Sequence, residues 1–138
     1  MKKTNVLHNV NWQNFALLVL RVCIGAIFLY AGWMKLTDMA NVIGMFGQFG
    51  WPVPAFFAYL VAIVETVAGG LMILGILTRI DAVLLAAVMI VALITVHIPA
   101  GKWDAGIQLV ITLLAGNLAL TATGGGMWRV WSKDCPCS

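Results

Sequence analysis

Charge is scarce in this sequence. Eight basic and five acidic side chains serve 138 residues, 9% of the chain, where a water-soluble domain draws about 25% from those types. There are three cysteines and four prolines, too few for a disulfide framework or a proline-rich linker. No polar stretch is long enough to fold as a separate soluble catalytic domain. Glycine-rich phosphate loops, nucleophile elbows, H-E-x-x-H pairs and C-x-x-C-H haem attachments are all missing, which leaves phosphoryl transfer, serine hydrolysis and covalent haem binding without support. The formal charge of +3 is no nucleic-acid signature, because the basic residues flank apolar stretches rather than cluster.

What fills the chain is apolar sequence, 62% of it. Four runs cover about 15–34, 55–77, 82–98 and 105–122, each near the roughly 17–25 residues that a membrane-spanning helix needs. The expected fold is all-α: one integral membrane domain over 1–138, a four-helix bundle with a tail at 123–138. Lys2 and Lys3 before the first run resemble a signal peptide, but the run is too long and lacks a small-x-small site, so it is read as the first span. Lys2, Lys3, Arg79, Arg129 and Lys133 fall on one side of such a bundle, and Lys35 and Lys102 on the other. That asymmetry predicts both termini in the cytoplasm of a bacterial inner membrane. Tryptophans flank the spans on both sides. Trp12 and Trp33 are 21 residues apart, about 31 Å of helix, which matches a hydrocarbon core with an aromatic girdle at each face.

Three spans carry a small or polar stripe at helical spacing. These are Arg21, Gly25, Phe28, Gly32 and Lys35; Ala58, Ala62, Glu65, Gly69 and Met72; and Ala105, Gln108, Thr112, Ala115 and Ala119. Each is expected to face the bundle, where small residues let helices approach closely. Between the first two spans, Met39, Val42, Ile43, Phe46 and Phe49 follow a Thr37-Asp38 capping signal. They predict a short amphipathic helix on the outer leaflet, ended by Gly47 or Gly50. Thr78 to Asp81 reads as a tight turn.

Two groups of residues could carry chemistry. Arg21 and Glu65 lie inside spans, where an unpaired charge is costly. By helical rise they differ in depth by about 8 Å, so they are expected to face each other. They serve either as a register-fixing salt bridge or as a site for a proton or ligand headgroup. Tyr30, Lys35 and His97 end their spans at similar depth. They could offer donors to a quinone carbonyl, or act simply as interfacial anchors. Cys23 reads as a small apolar residue. Cys135 and Cys137 form a C-x-C pair that a reducing compartment keeps as thiols. Two ligands do not complete a zinc or iron–sulfur site, so the pair is a weak metal candidate only.

The ordered set Leu20-Arg21-Val22, Gly25, Phe28, Gly32-Trp33-Met34-Lys35-Leu36, Gly50-Trp51-Pro52-Val53-Pro54, Glu65, Gly69-Gly70, Leu74 to Arg79 and Thr95-Val96-His97 resembles the DoxX (DoxX/DoxD-like) family of small four-span bacterial membrane proteins. It covers about residues 17–100. Where relatives carry an acidic residue near the start of the last span, this chain has Gln108. The resemblance implies a role near redox and sulfur metabolism, in thiosulfate:quinone oxidoreduction or oxidative-stress assemblies. Three readings follow. The chain is a quinone-linked subunit of a membrane redox system; or a non-catalytic anchor for a soluble oxidoreductase; or, with least support, a small transporter, since no span is broken mid-membrane by proline. The expected partners are the lipid bilayer, a redox protein and a second copy of the chain, with no nucleic acid.

Overall fold

The computed structural model describes residues 2–101 and 103–128, with side chains from residue 11 onward. Cys135 and Cys137 lie outside the described residues. Among these residues six helices follow one another: α1 (Lys2–Thr37), α2 (Met39–Gln48), α3 (Pro54–Leu74), α4 (Thr78–Ala92), α5 (Ile98–Ala100) and α6 (Ala105–Thr123), with one π-helical segment, Leu93–His97, between α4 and α5. Among the described residues four stretches are long and apolar enough to cross a membrane: Asn11–Thr37, Pro54–Leu74, Thr78–Ala100 and Ala105–Thr123.

The elements follow from local chemistry. No proline or glycine interrupts the chain before Gly25, so α1 runs as one helix through Asn11–Asn14, where the sequence suggests that the first span begins. Pro54 occupies the first turn of α3, where its missing N–H costs nothing. That helix ends at Gly75 in the left-handed conformation: Gly75 N–H donates to Met72 O at 3.1 Å and Ile76 N–H to Leu71 O at 3.0 Å. This is the two-bond pattern that favours glycine just past a helix end. The reversal is therefore Gly75–Leu77, with Leu77 also left-handed at φ 53°. Thr78–Asp81, expected as the turn, is already the first turn of α4.

Near the far end of the third span, Pro99 has no N–H to return to the preceding turn. The helix widens before it, so that Ile98 N–H donates to Leu93 O, five residues back. The amphipathic helix forms with Met39, Val42, Ile43 and Phe46 as its half-buried residues, but it ends at Gln48, so Phe49, expected on the same face, lies past its end and is exposed. Asp38 does not cap its backbone but accepts from the Asn41 side-chain amide at 2.7 Å. Phe46, Trp51 and Phe57 stack in sequence, with centroids 5.6 and 4.5 Å apart, and tie α2 to the start of α3.

In the bundle α1 packs along α3 and α4 along α6; α3 also touches α4, and α1 meets α6. The core between them is Ile24, Phe28, Ala68, Met72, Ala82, Leu85, Met89, Val110, Leu113 and Leu120. In lipid this packing gains little from apolar transfer, since the tails are as apolar as leucine; close contact holds the helices together. Glycine makes that contact possible at the α1–α3 crossing. A Cβ on Gly32 would stand 2.6 Å from Thr66 N and 3.0 Å from Ala62 O, and one on Gly69 2.7 Å from Leu29 N.

Two of the three small-residue stripes face the bundle as expected. Arg21, Gly25, Phe28 and Gly32 are buried with Lys35 half-buried, and Ala58, Ala62, Glu65, Gly69 and Met72 are all buried. The third is reversed. Ala105, Gln108, Thr112, Ala115 and Ala119 are exposed, and α6 instead buries Ile107, Val110, Leu113, Asn117 and Leu120. Spacing alone cannot choose between these faces, because both repeat with the helical period.

Candidate functional site

The α1–α3 crossing decides which charges meet. Gly25 stands against Gly69 and Ile73, and Gly32 against Ala62 and Thr66. Glu65 is thereby level with Ala31, about ten residues and so about 15 Å along α1 from Arg21. The partner of Glu65 is Lys35: its ammonium donates to Glu65 Oε2 in a salt bridge. The expected Arg21–Glu65 pair is replaced because a helical side chain leans toward its own N-terminus. Lys35 therefore reaches back along α1 onto Glu65, and Arg21 reaches away from it. Glu65 is 2% exposed and the Lys35 side chain 29%. The pair thus has a closed carboxylate side and an ammonium side that opens out of the bundle.

Arg21, also buried, anchors the opposite end. Its Nη1 donates to Gly125 O at 2.9 Å and its Nη2 to Trp128 O at 2.8 Å. The Gly124–Gly125–Gly126 run lets the chain lie this close. A Cβ on Gly125 would come within 2.6 Å of Thr78 Oγ1, and Gly124 and Gly126 have φ of 77° and 74°. Asn14 Oδ1 accepts from Met127 N–H at 3.2 Å. Arg21 is thus neither lipid-facing nor a partner of Glu65. It fixes the chain where it leaves α6.

The other expected cluster does not assemble around Lys35. Tyr30 is 67% exposed; five residues on a helix turn it roughly 140° from Lys35. His97 belongs to the π segment, which packs on α6 and not on α1. Its Nδ1 lies 3.2 Å from Ala92 O, a carbonyl that can only accept, so Nδ1 is the donor in this contact. Nε2 faces the start of α6: a Cβ on Gly106 would stand 3.2 Å from it and 3.2 Å from Asp104 Oδ1. Asp104 caps α6 by accepting from Ile107 N–H at 3.1 Å.

Three buried polar residues do not stand out in the sequence. Thr78, Asp81 and Asn117 are 5%, 3% and 0% exposed. Thr78 Oγ1, Asp81 Oδ2 and Asn117 Oδ1 have no hydrogen-bond partner among the described residues. Asp81 and Thr78 look like turn residues, and one asparagine in an apolar run gives no directional signal; the unusual residue type at depth is the only cue. Among the described residues no group of three or more His, Cys, Asp or Glu side chains could hold a metal ion. The chemistry on offer is therefore that of a buried ion pair: hydrogen bonding to one polar group of an otherwise apolar ligand, or proton exchange with it.

The residues that build this pair lie inside a stretch, 16–98, that matches DoxX. The chain belongs to the DoxX family. This DoxX protein is 38% identical over 107 residues to the Bacillus subtilis (strain 168) protein named "Putative oxidoreductase CatD", an alignment covering 77% of this chain and 78% of that one. It is 30% identical over 128 residues to the "Uncharacterized membrane protein Rv3486" of Mycobacterium tuberculosis (strain ATCC 25618 / H37Rv), covering 83% and 78%. No solved structure matches the chain. The family and the four apolar helices make it a multi-pass membrane protein.

Proposed function

We propose that this DoxX protein is the membrane subunit of a redox system and that the Lys35–Glu65 pair is the polar end of its quinone site. The observation that carries the reading is a salt bridge inside the apolar bundle with one member closed in and the other half-open. An ionisable pair at such depth is a functional site by default. A ligand site of this kind needs apolar walls and few convergent polar groups. Lys35 would donate to a quinone carbonyl, and Glu65 would hold the ammonium in place. Electrons would come from a partner oxidoreductase. The name of the Bacillus subtilis relative supports the redox direction. Tyr30 and His97, expected from the sequence to offer donors beside Lys35, lie on other faces and take no part in this site.

Quinone titration of the purified protein tests this. Tryptophan quenching should saturate in the parent protein, and Lys35→Met should weaken binding at least tenfold, the loss expected of a charge-assisted hydrogen bond at about 1.5–3 kcal/mol. A parent protein that binds neither ubiquinone nor menaquinone ends the proposal. Binding unchanged in Lys35→Met but lost in His97→Ala would move the site to α6.

We place both termini in the cytoplasm, on the five-to-two basic asymmetry. Ready labelling of Cys135 and Cys137 in intact cells by an impermeant thiol reagent would reverse that orientation. A second reading, an anchor for a soluble oxidoreductase, is favoured by the Arg21 clamp, which fixes the exit of the chain at Gly125 and Trp128. A soluble oxidoreductase copurifying with the parent, and lost from an Arg21→Gln variant that still binds quinone, would favour it.

A further inference from the structure

The inward stripes of three spans lose their cover at the same end of the bundle. On α1, Arg21, Ile24, Phe28 and Gly32 are buried, and Lys35, next on that face, is half-buried. On α3, Met72, Ala68 and Glu65 are buried, and Val61, one turn further, is half-buried. On the third span, Ala82, Leu85 and Met89 are buried, whereas Leu93 and Val96, which continue their spacing, are half-buried. The stripe of α6 stays buried as far as Ile107.

The backbone gives the reason independently of side-chain exposure. No Cα of Leu93–His97 or of α5 lies within 8 Å of a Cα of α1, α2 or α3. Before that point α4 packs on α3, and beyond it the π segment packs on α6. The third span thus parts from α3 where its helix widens ahead of Pro99, and it follows α6 instead. Glu65 and Met89 both stand roughly 15–18 Å up their helices from the Gly75–Leu77 reversal. The gap between the two halves therefore begins at the height of the Lys35–Glu65 pair and runs to the end of the bundle that carries α2. Lys35 is half-open because no helix stands across from it there.

We propose, resting on the quinone reading above, that this gap is the cleft through which the quinone enters from the bilayer, its ring at the Lys35 ammonium and its isoprenoid tail between Val61 of α3 and Leu93 and Val96 of the third span. The chemistry selects that occupant. The floor offers one donor group, and its charge is already balanced by Glu65. A neutral pair suits a neutral acceptor such as a carbonyl; a phosphate or carboxylate headgroup would bring a charge with nothing left to balance it. The walls are aliphatic, and Thr95 beside them spends its hydroxyl on Val91 O at 2.7 Å. A ligand that fits therefore has an acceptor at one end and an apolar remainder. A cleft open to hydrocarbon also accommodates a tail of any length, which a closed pocket does not.

Photolabelling of the parent protein in nanodiscs tests the proposal, with a ubiquinone analogue that carries an azide on the first isoprene unit of its tail. The label should fall on Val61, Leu93 or Val96, and excess unlabelled quinone should remove it. Label confined to exposed positions such as Ile63 and Ile90, or label that excess quinone does not displace, would overturn the cleft. Val61→Phe and Val96→Phe narrow the gap and should each weaken quinone binding by roughly tenfold, the low end of what an intruding side chain costs. Ile63→Phe, on the exposed side of α3, should leave it unchanged. Thermal unfolding of each variant checks the fold, and labelling of the parent decides even where a narrowed variant fails to fold. Quinone binding as tight in both narrowed variants as in the parent refutes the cleft and leaves the quinone reading standing. A parent that binds no quinone removes both. A copurified phospholipid that quinone cannot displace would assign the gap to lipid and overturn the proposal.

Discussion

Removing the two members of the Lys35–Glu65 salt bridge one at a time should have unequal consequences. Lys35→Met leaves the Glu65 carboxylate alone at 2% exposure, whereas Glu65→Leu leaves an ammonium whose side chain is already 29% exposed. Lys35 also stands two residues before the end of α1, so its long side chain can turn outward and carry its charge to the interface. Glu65 is mid-helix in α3 and has no such route. Lys35→Met should therefore cost about 3–5 kcal/mol, the penalty of breaking a buried pair and stranding one charge. Glu65→Leu should lose about 1 kcal/mol or less, the worth of a pair whose surviving member returns to water. The double variant should be close to the parent, because an apolar pair can replace a buried ion pair at little cost. Reversible unfolding of the four proteins in bicelles, read by tryptophan fluorescence, closes the cycle. The reasoning fails if Glu65→Leu is as damaging as Lys35→Met, or if the two effects simply add in the double variant.

Further expectations concern packing and the chain exit. Gly32→Ala should destabilise by about 1–3 kcal/mol, since its Cβ would meet backbone atoms of α3 at 2.6 and 3.0 Å. Gly44→Ala, with nothing within 4 Å, should be neutral or stabilise α2 by up to about 1 kcal/mol; unfolding curves of the pair measure the contrast. Arg21→Gln should release Gly125 and Trp128 and cost about 2–4 kcal/mol, because two charge-assisted bonds are lost. Limited proteolysis in detergent should then cut after Thr123 faster than in the parent, and an unchanged cutting rate would deny the clamp. Glu65→Gln should be milder than Lys35→Met, since an amide keeps a hydrogen bond to Lys35 and needs no counter-charge. Thermal denaturation checks that order.

Much of the bundle is legible in the residues alone. Span number and length follow from the bilayer's thickness, and the amphipathic helix from the period of Met39, Val42, Ile43 and Phe46. The stripe Arg21–Gly25–Phe28–Gly32–Lys35 and the stripe around Glu65 are readable as buried faces, because a helix repeats every 3.6 residues whatever it packs against. The family is readable from the ordered motifs on those same faces.

Register is not legible. Both Arg21 and Lys35 lie on the face that meets Glu65, and a depth count from Trp12 cannot say how far α1 slides along α3. The glycines settle that through backbone contacts at Gly25, Gly32 and Gly69, so the salt bridge falls to Lys35 and Arg21 is left to bind the exit of α6. The orientation of α6 is hidden for a related reason. It has two faces of helical period, one small and polar and one bulky. Which turns inward depends on the space left by α1 and α4, where Leu113, Asn117 and Leu120 fit and alanines would leave voids. The periodicity of a single helix is written in its own residues, whereas its rotation and slide belong to the neighbours that it packs against.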